Sequence, residues 1–112
     1  MMPVGLVFIA TVTAYAPDCA GCSGVMASGA PADASVPTVA TSKAWPLGAC
    51  VDVLGADGVW QQFAVADRLG KRQRARKDSH QQLDVLVGST EAAVRHGVQQ
   101  LLAQRVECSC PL

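Results

Sequence analysis

Charge is scarce in this chain: only 16% of its 112 residues are Asp, Glu, Lys or Arg, and nine basic residues balance nine acidic ones. A formal net charge of zero argues against a general nucleic-acid binder, because that binding runs on excess Lys and Arg. Aromatic residues are scarcer still, at 4%. Long hydrophobic runs are missing as well. The apolar stretch 1–10, MMPVGLVFIA, is too short to span a bilayer and carries no Lys or Arg. It flows into Thr11–Tyr15 without a break, so it is read as part of the fold, which would leave the chain without an export signal of its own. The sequence also lacks a serine-triad motif, a phosphate-binding glycine loop and an EF-hand pattern.

What is present points to short strands and tight turns. Half the residues are hydrophobic, which excludes intrinsic disorder, and Gly (10) and Pro (6) are plentiful. A chain of this length makes one domain, spanning residues 1–112, that buries roughly 65% of its unfolded surface. The pattern predicts a first strand over Val4–Tyr15, an irregular loop over 18–37 and a brief strand at Thr38–Thr41. Ala49–Leu54 and Val59–Ala66 follow as a hairpin about Gly55-Ala56-Asp57-Gly58. Leu83–Val87 is the next strand. Ser89 or Thr90 then caps a short helix to about His96, with Glu91 in its first turn, and Gly97 stops it before a closing strand over Val98–Val106. About six short strands and one small helix suit a small closed barrel better than a sandwich.

Two features admit several readings. The five cysteines fall as Cys19 and Cys22, Cys50 alone, then Cys108 and Cys110. Cys19, Cys22, Cys108 and Cys110 have the two close pairs of a tetrahedral zinc site, and the same four suit disulfides in an oxidising compartment or free thiols in a reducing one. The odd count leaves at least one thiol without an intramolecular partner. The loop 68–80 holds six of the nine basic residues, counting Arg68. It is predicted to be solvated and mobile, and an anionic wall polymer is the functional alternative.

Four segments, in order, resemble the double-psi β-barrel superfamily, which includes the three-aspartate domain, rare lipoprotein A and membrane-bound lytic transglycosylase A. Val12-Thr13-Ala14-Tyr15 with Val25-Met26-Ala27-Ser28-Gly29 is similar to the family's opening strand and Ala-Ser-Gly loop. Val39 to Gly48 ends in Pro46-Leu47-Gly48, where the family turns before a strand. Val65-Ala66-Asp67-Arg68-Leu69-Gly70 is similar to its Asp-Arg-Gly or Asp-Thr-Gly-Gly segment, and Leu83-Asp84-Val85 to its Ile-Asp-Leu strand. The resemblance covers 12 to about 85, or to about 107 with the helix and closing strand. It implies a mainly β fold, a six-stranded double-psi barrel with one or two short helices. Two departures stand out. Ser42 occupies the position of the family's first aspartate, and the Asp67–Asp84 interval is lengthened by the basic loop.

The function this resemblance implies is cleavage of peptidoglycan glycan strands, as a lytic transglycosylase, without a cofactor. One carboxylic acid protonates the glycosidic oxygen and then, as carboxylate, takes the proton of the sugar's own C6 hydroxyl. Such an acid needs a raised pKa. The resemblance assigns Asp84 as acid/base and Asp67 as its partner, with the reverse assignment open, and places Tyr15, Ser28, Lys43 and Arg68 along the substrate groove. Trp45 and Trp60 are candidates for stacking on sugars or for core packing. The expected partner is the glycan strand, with no nucleic acid and no membrane span, and the barrel is expected to act as a monomer at the bacterial cell wall, exported or phage-delivered. The alternatives are a glycan-binding module that does not cut and a virion or tail component of the same fold.

Overall fold

In the computed structural model, which describes residues 2–18 and 22–109, six strands close into a barrel. They are β1 (Val7–Tyr15), β2 (Thr38–Thr41), β3 (Cys50–Leu54), β4 (Trp60–Arg68), β5 (Gln82–Leu86) and β6 (Gln99–Val106). A one-turn helix α1 (Lys71–Arg74) precedes β5, and α2 (Thr90–His96) links β5 to β6. Around the barrel the order is β1-β5-β2-β4-β3-β6. The β1–β5 and β2–β4 pairs are parallel and the other four are antiparallel. A parallel pair cannot be joined by a hairpin, and the strands of each parallel pair here are not consecutive in the chain. The long segment after β1 leads to β2, which lies on the other side of β5, so it crosses past β5.

Local chemistry accounts for most element ends. Gly58 sits at φ 81° and closes the β3–β4 turn through its N–H to the Gly55 carbonyl at 2.9 Å. The Pro46-Leu47-Gly48 turn ends at φ 91°, a conformation that favours glycine, and the Gly48 N–H donates to Val65 O at 2.8 Å. The Ser89 hydroxyl accepts the Ala92 N–H at 3.1 Å and caps α2, as its sequence predicts. The first strand begins at Val7 rather than Val4, because Gly5 at φ 89° turns the chain just before it.

The predicted mobile loop at 68–80 is instead built and tied down. It contains α1 and a 3-10 turn over Ser79–Gln81. Leu69 is buried and its N–H donates to Thr41 O at 3.0 Å, while His80 O accepts Trp45 Nε1–H at 2.9 Å. The zinc reading of the cysteines also gives way. Cys108 forms a disulfide with Cys50, which the sequence had left alone, and Cys22 is disulfide-bonded too, so neither is a thiolate ligand. The two further cysteines of that proposed set, Cys19 and Cys110, lie outside the described residues.

The core fills the barrel with Phe8, Val12, Val39, Val51, Val65, Leu83 and Val85, around a fully buried Trp45. Trp45 thus packs rather than stacks on sugar; its ring lies 6.0 Å from that of Phe8. Trp45→Phe removes core volume and the indole bond to His80 O, at a cost of about 1–3 kcal/mol. The expected drop in melting midpoint is roughly 5–20 °C by calorimetry. An unchanged midpoint would mean that the indole does not hold the 68–80 segment.

Candidate functional site: a carboxylate pair on the outer barrel face

Strand alternation sorts the side chains. Val12, Leu83 and Val85 belong to the core cluster, so their neighbours Thr13 and Asp84, which pair in register across β1 and β5, face outward. Tyr15 lies two residues beyond Thr13 on that face. There it packs with Met26 and Ala32 of the crossing loop, Ala66 of β4 and Leu86 of β5. The crossing loop thus covers part of the outer face.

A bulge brings in the second carboxylate. Val39 of β2 pairs with Val65, but Ala40 pairs with Asp67, so the register slips past Ala66. On its other edge Ala40 pairs with Asp84. Asp67 and Asp84 therefore flank one small residue, with Cα atoms two strand spacings apart, about 10 Å. Without the slip Ala66 would stand opposite Ala40, and bulges commonly re-aim a side chain in this way.

The two carboxylates differ in their bonding. Asp67 Oδ1 accepts the N–H groups of Ala27 at 3.0 Å and Arg68 at 2.9 Å, and Oδ2 accepts the Tyr15 hydroxyl at 3.0 Å. It is a fixed anion that pins the crossing loop to β4. Burial, reinforced by the charge of Asp67, pushes the Tyr15 phenol far above its ordinary value and keeps it protonated as a donor. Asp84 is 8% exposed, and its Oδ1 accepts the Thr13 hydroxyl at 2.8 Å. Burial raises its pKa above the ordinary carboxyl value, and the Asp67 charge pushes the same way. Hydrogen bonds from Thr13 and Gln73 and the proximity of His96 offset part of that rise. A buried acid beside a fixed anion favours its neutral form, which is the form a proton donor needs.

The other residues expected at the site have varied settings. Ser28 is exposed on the crossing loop, its N–H bonded to Ala66 O at 3.0 Å. Lys43 is exposed in the turn after β2. Arg68 Nη1 donates to Thr41 Oγ1, Ser42 O and Trp45 O at 3.3, 3.0 and 2.6 Å, which makes it a clasp on the 41–45 turn. Ser42, at the first-aspartate position, is buried, and its hydroxyl accepts the Ala44 N–H within the same turn. Trp60 is 44% exposed at the start of β4.

Sequence reasoning missed Gln73, whose side chain reaches Asp84 from α1 while its Oε1 accepts the Gly70 N–H at 3.1 Å. No spacing rule marks a glutamine in a basic run. Among the described residues no cluster of His, Cys, Asp and Glu is disposed to hold a metal. A cavity of about 190 Å³ between Tyr15, Val25 and Ala32 is bordered by Asp67 and not by Asp84. Wider recesses, about 370 and 650 Å³, share Gln61, Phe63, Val85 and His96, and Asp84 lines neither.

No protein-family model and no curated protein matches the chain. Among solved structures it is similar to the Streptomyces papain inhibitor (SPI), at 23% identity and a TM-score of 0.64, over 96% of this chain and 100% of that one. The likeness shows the fold. It extends over nearly the whole barrel, so no segment of this chain is a large addition to the shared architecture. Among the described residues no helix is long and apolar enough to cross a membrane.

Proposed function

We propose that this barrel cleaves the glycan strand of peptidoglycan by the lytic transglycosylase route, with Asp84 as acid and then base. The observation that carries the reading is the contrast within the carboxylate pair. Asp84 is buried, with its pKa raised, and Asp67 beside it accepts three hydrogen bonds. Protonated Asp84 gives its proton to the glycosidic oxygen as the C1–O bond breaks. The resulting carboxylate takes the proton of the C6 hydroxyl while that oxygen bonds to C1, which closes a 1,6-anhydro ring and returns Asp84 to its starting state. Water is not consumed. Asp67 holds Tyr15 and the crossing loop and keeps the neutral form of Asp84 favoured. The disulfides at Cys22 and Cys50–Cys108 suit an oxidising compartment, in keeping with action at the cell wall.

A second reading rests on the structural match to a protein named as a papain inhibitor. In it the barrel docks exposed apolar residues, such as Val25 and Val36 of the crossing loop, into a papain-type protease. One pair of assays separates the two. Incubation with purified peptidoglycan, read by mass spectrometry, yields anhydro-muropeptides if the first holds. A stoichiometric loss of papain activity, with no muropeptide released, establishes the second. Pelleting with insoluble wall but no product and no inhibition would leave a binding module.

A further inference from the structure

The chain is neutral as a whole, yet five of its nine cations, Lys71, Arg72, Arg74, Arg76 and Lys77, lie within seven residues. All but Gln73 in 71–77 are exposed, and Asp78 is the only acidic residue in 71–78. Among the described residues the one ion pair joins Arg95 to Glu91, so none of the five has a carboxylate partner. An unstructured basic run would be an ordinary solvated surface, but this one is fixed at three places. Leu69 is buried with its N–H on Thr41 O, the Gln73 side chain joins Gly70 N–H to Asp84, and Trp45 Nε1–H holds His80 O. The fold therefore holds like charges together against their mutual repulsion, with none of them contributing an ion pair to stability. One of the fixing residues, Gln73, also reaches the candidate acid, which Thr13 holds from β1.

We propose that the 71–77 segment is an anion-gripping arm that holds a polymer bearing repeated carboxylates or phosphates while its glycan lies at Asp84. This rests on the glycan reading of the site, and adds what that reading lacks, a second point of attachment of opposite charge. Chain neutrality disfavours nucleic acid as the polymer, since nine acidic residues offset the nine basic ones. The two sources of the anion are stem-peptide carboxylates and the phosphates of wall-attached polymers.

The test is pelleting of the intact protein with purified cell-wall sacculi, before and after hydrofluoric acid stripping of phosphate polymers, in salt from about 0.05 to about 0.5 M. The variant carries Arg72→Gln, Arg74→Gln, Arg76→Gln and Lys77→Gln, and keeps Gln73. Its melting midpoint should equal or slightly exceed that of wild type, because the altered side chains make no ion pairs and their mutual repulsion is relieved. Wild-type binding should fall steeply with salt. The variant should bind at least about tenfold more weakly at low salt, with a shallower slope. Loss of wild-type binding after stripping names phosphate as the anion, and retention names carboxylate. Equal binding and equal slope for variant and wild type overturn the proposal, as does competition by a single-stranded oligonucleotide at equal affinity. Asp84→Asn, which removes the acid and leaves the arm, should still pellet, so loss of cleavage and loss of grip are read separately.

Discussion

Asp84→Asn should leave a folded barrel that releases no anhydro-muropeptide, a loss of about 10²–10⁴-fold or more in rate, since an amide has no proton to give at this step. Asparagine is close to isosteric, and its Oδ1 can keep the hydrogen bond from Thr13 that Asp84 accepts at 2.8 Å. Stability tests the same residue independently. Below the ordinary carboxyl value of 3.8 the side chain is protonated in both folded and unfolded chains and contributes no difference. As pH rises through that value the unfolded chain releases its proton while the folded barrel, with its raised pKa, still holds one. The native state then binds more protons, so stability falls with rising pH across that window and levels off above the folded pKa. The asparagine variant has no such loss. Relative to wild type, it should therefore melt a few degrees higher at pH 7, with the difference gone near pH 3. A variant that melts lower at pH 7 would mean that the ionised carboxylate supports the fold, and Asp84 would then be an anchor rather than a proton donor.

Much of this arrangement is legible in the sequence, and the reason lies in the range of each signal. Strand β2 at Thr38–Thr41, the Gly55–Gly58 turn and the Ser89 cap are set by residues within a few positions of one another, and each lies where local pattern places it. Asp67 and Asp84 are readable as a pair only through the resemblance to double-psi barrels. Their approach depends on the slip past Ala66, and one extra residue in a parallel pair leaves no mark in composition. The basic segment misleads for a related reason. Its charge density reads as solvated loop, whereas Leu69, Gln73 and His80 O fix it by contacts to residues 41, 84 and 45, most of them far away in sequence.

The cysteine pairing shows the same limit, and it carries the largest expected effect on stability. Cys50 opens β3, and its register partner on β6 is Val106, two residues before Cys108. Once β3 and β6 lie side by side the two cysteines meet, with Cα atoms 5.2 Å apart, but only the barrel order makes them neighbours. Pairing the close cysteines by sequence proximity could not find it. The bridge spans 58 positions, and loop-closure entropy alone puts its contribution at about 4 kcal/mol. Cys50→Ala with Cys108→Ser should thus cost about 2–4 kcal/mol, the lower figure applying where β3–β6 pairing persists in the unfolded ensemble. Alanine suits the buried position 50, and serine the exposed position 108. The melting midpoint should fall by roughly 10–30 °C. The double variant is preferred to a reductant, because reduction would also open the disulfide at Cys22 and mix two effects. Peptidoglycan cleavage measured well below the new midpoint should persist, since the bridge joins β3 to the end of β6 while the carboxylates sit on β4 and β5 beside β2. If activity vanished while the barrel stayed folded, the groove would extend to the C-terminal tail, where Ser109 N–H donates to Gln62 Oε1 at 3.2 Å, and the site would be larger than the face around Ala40.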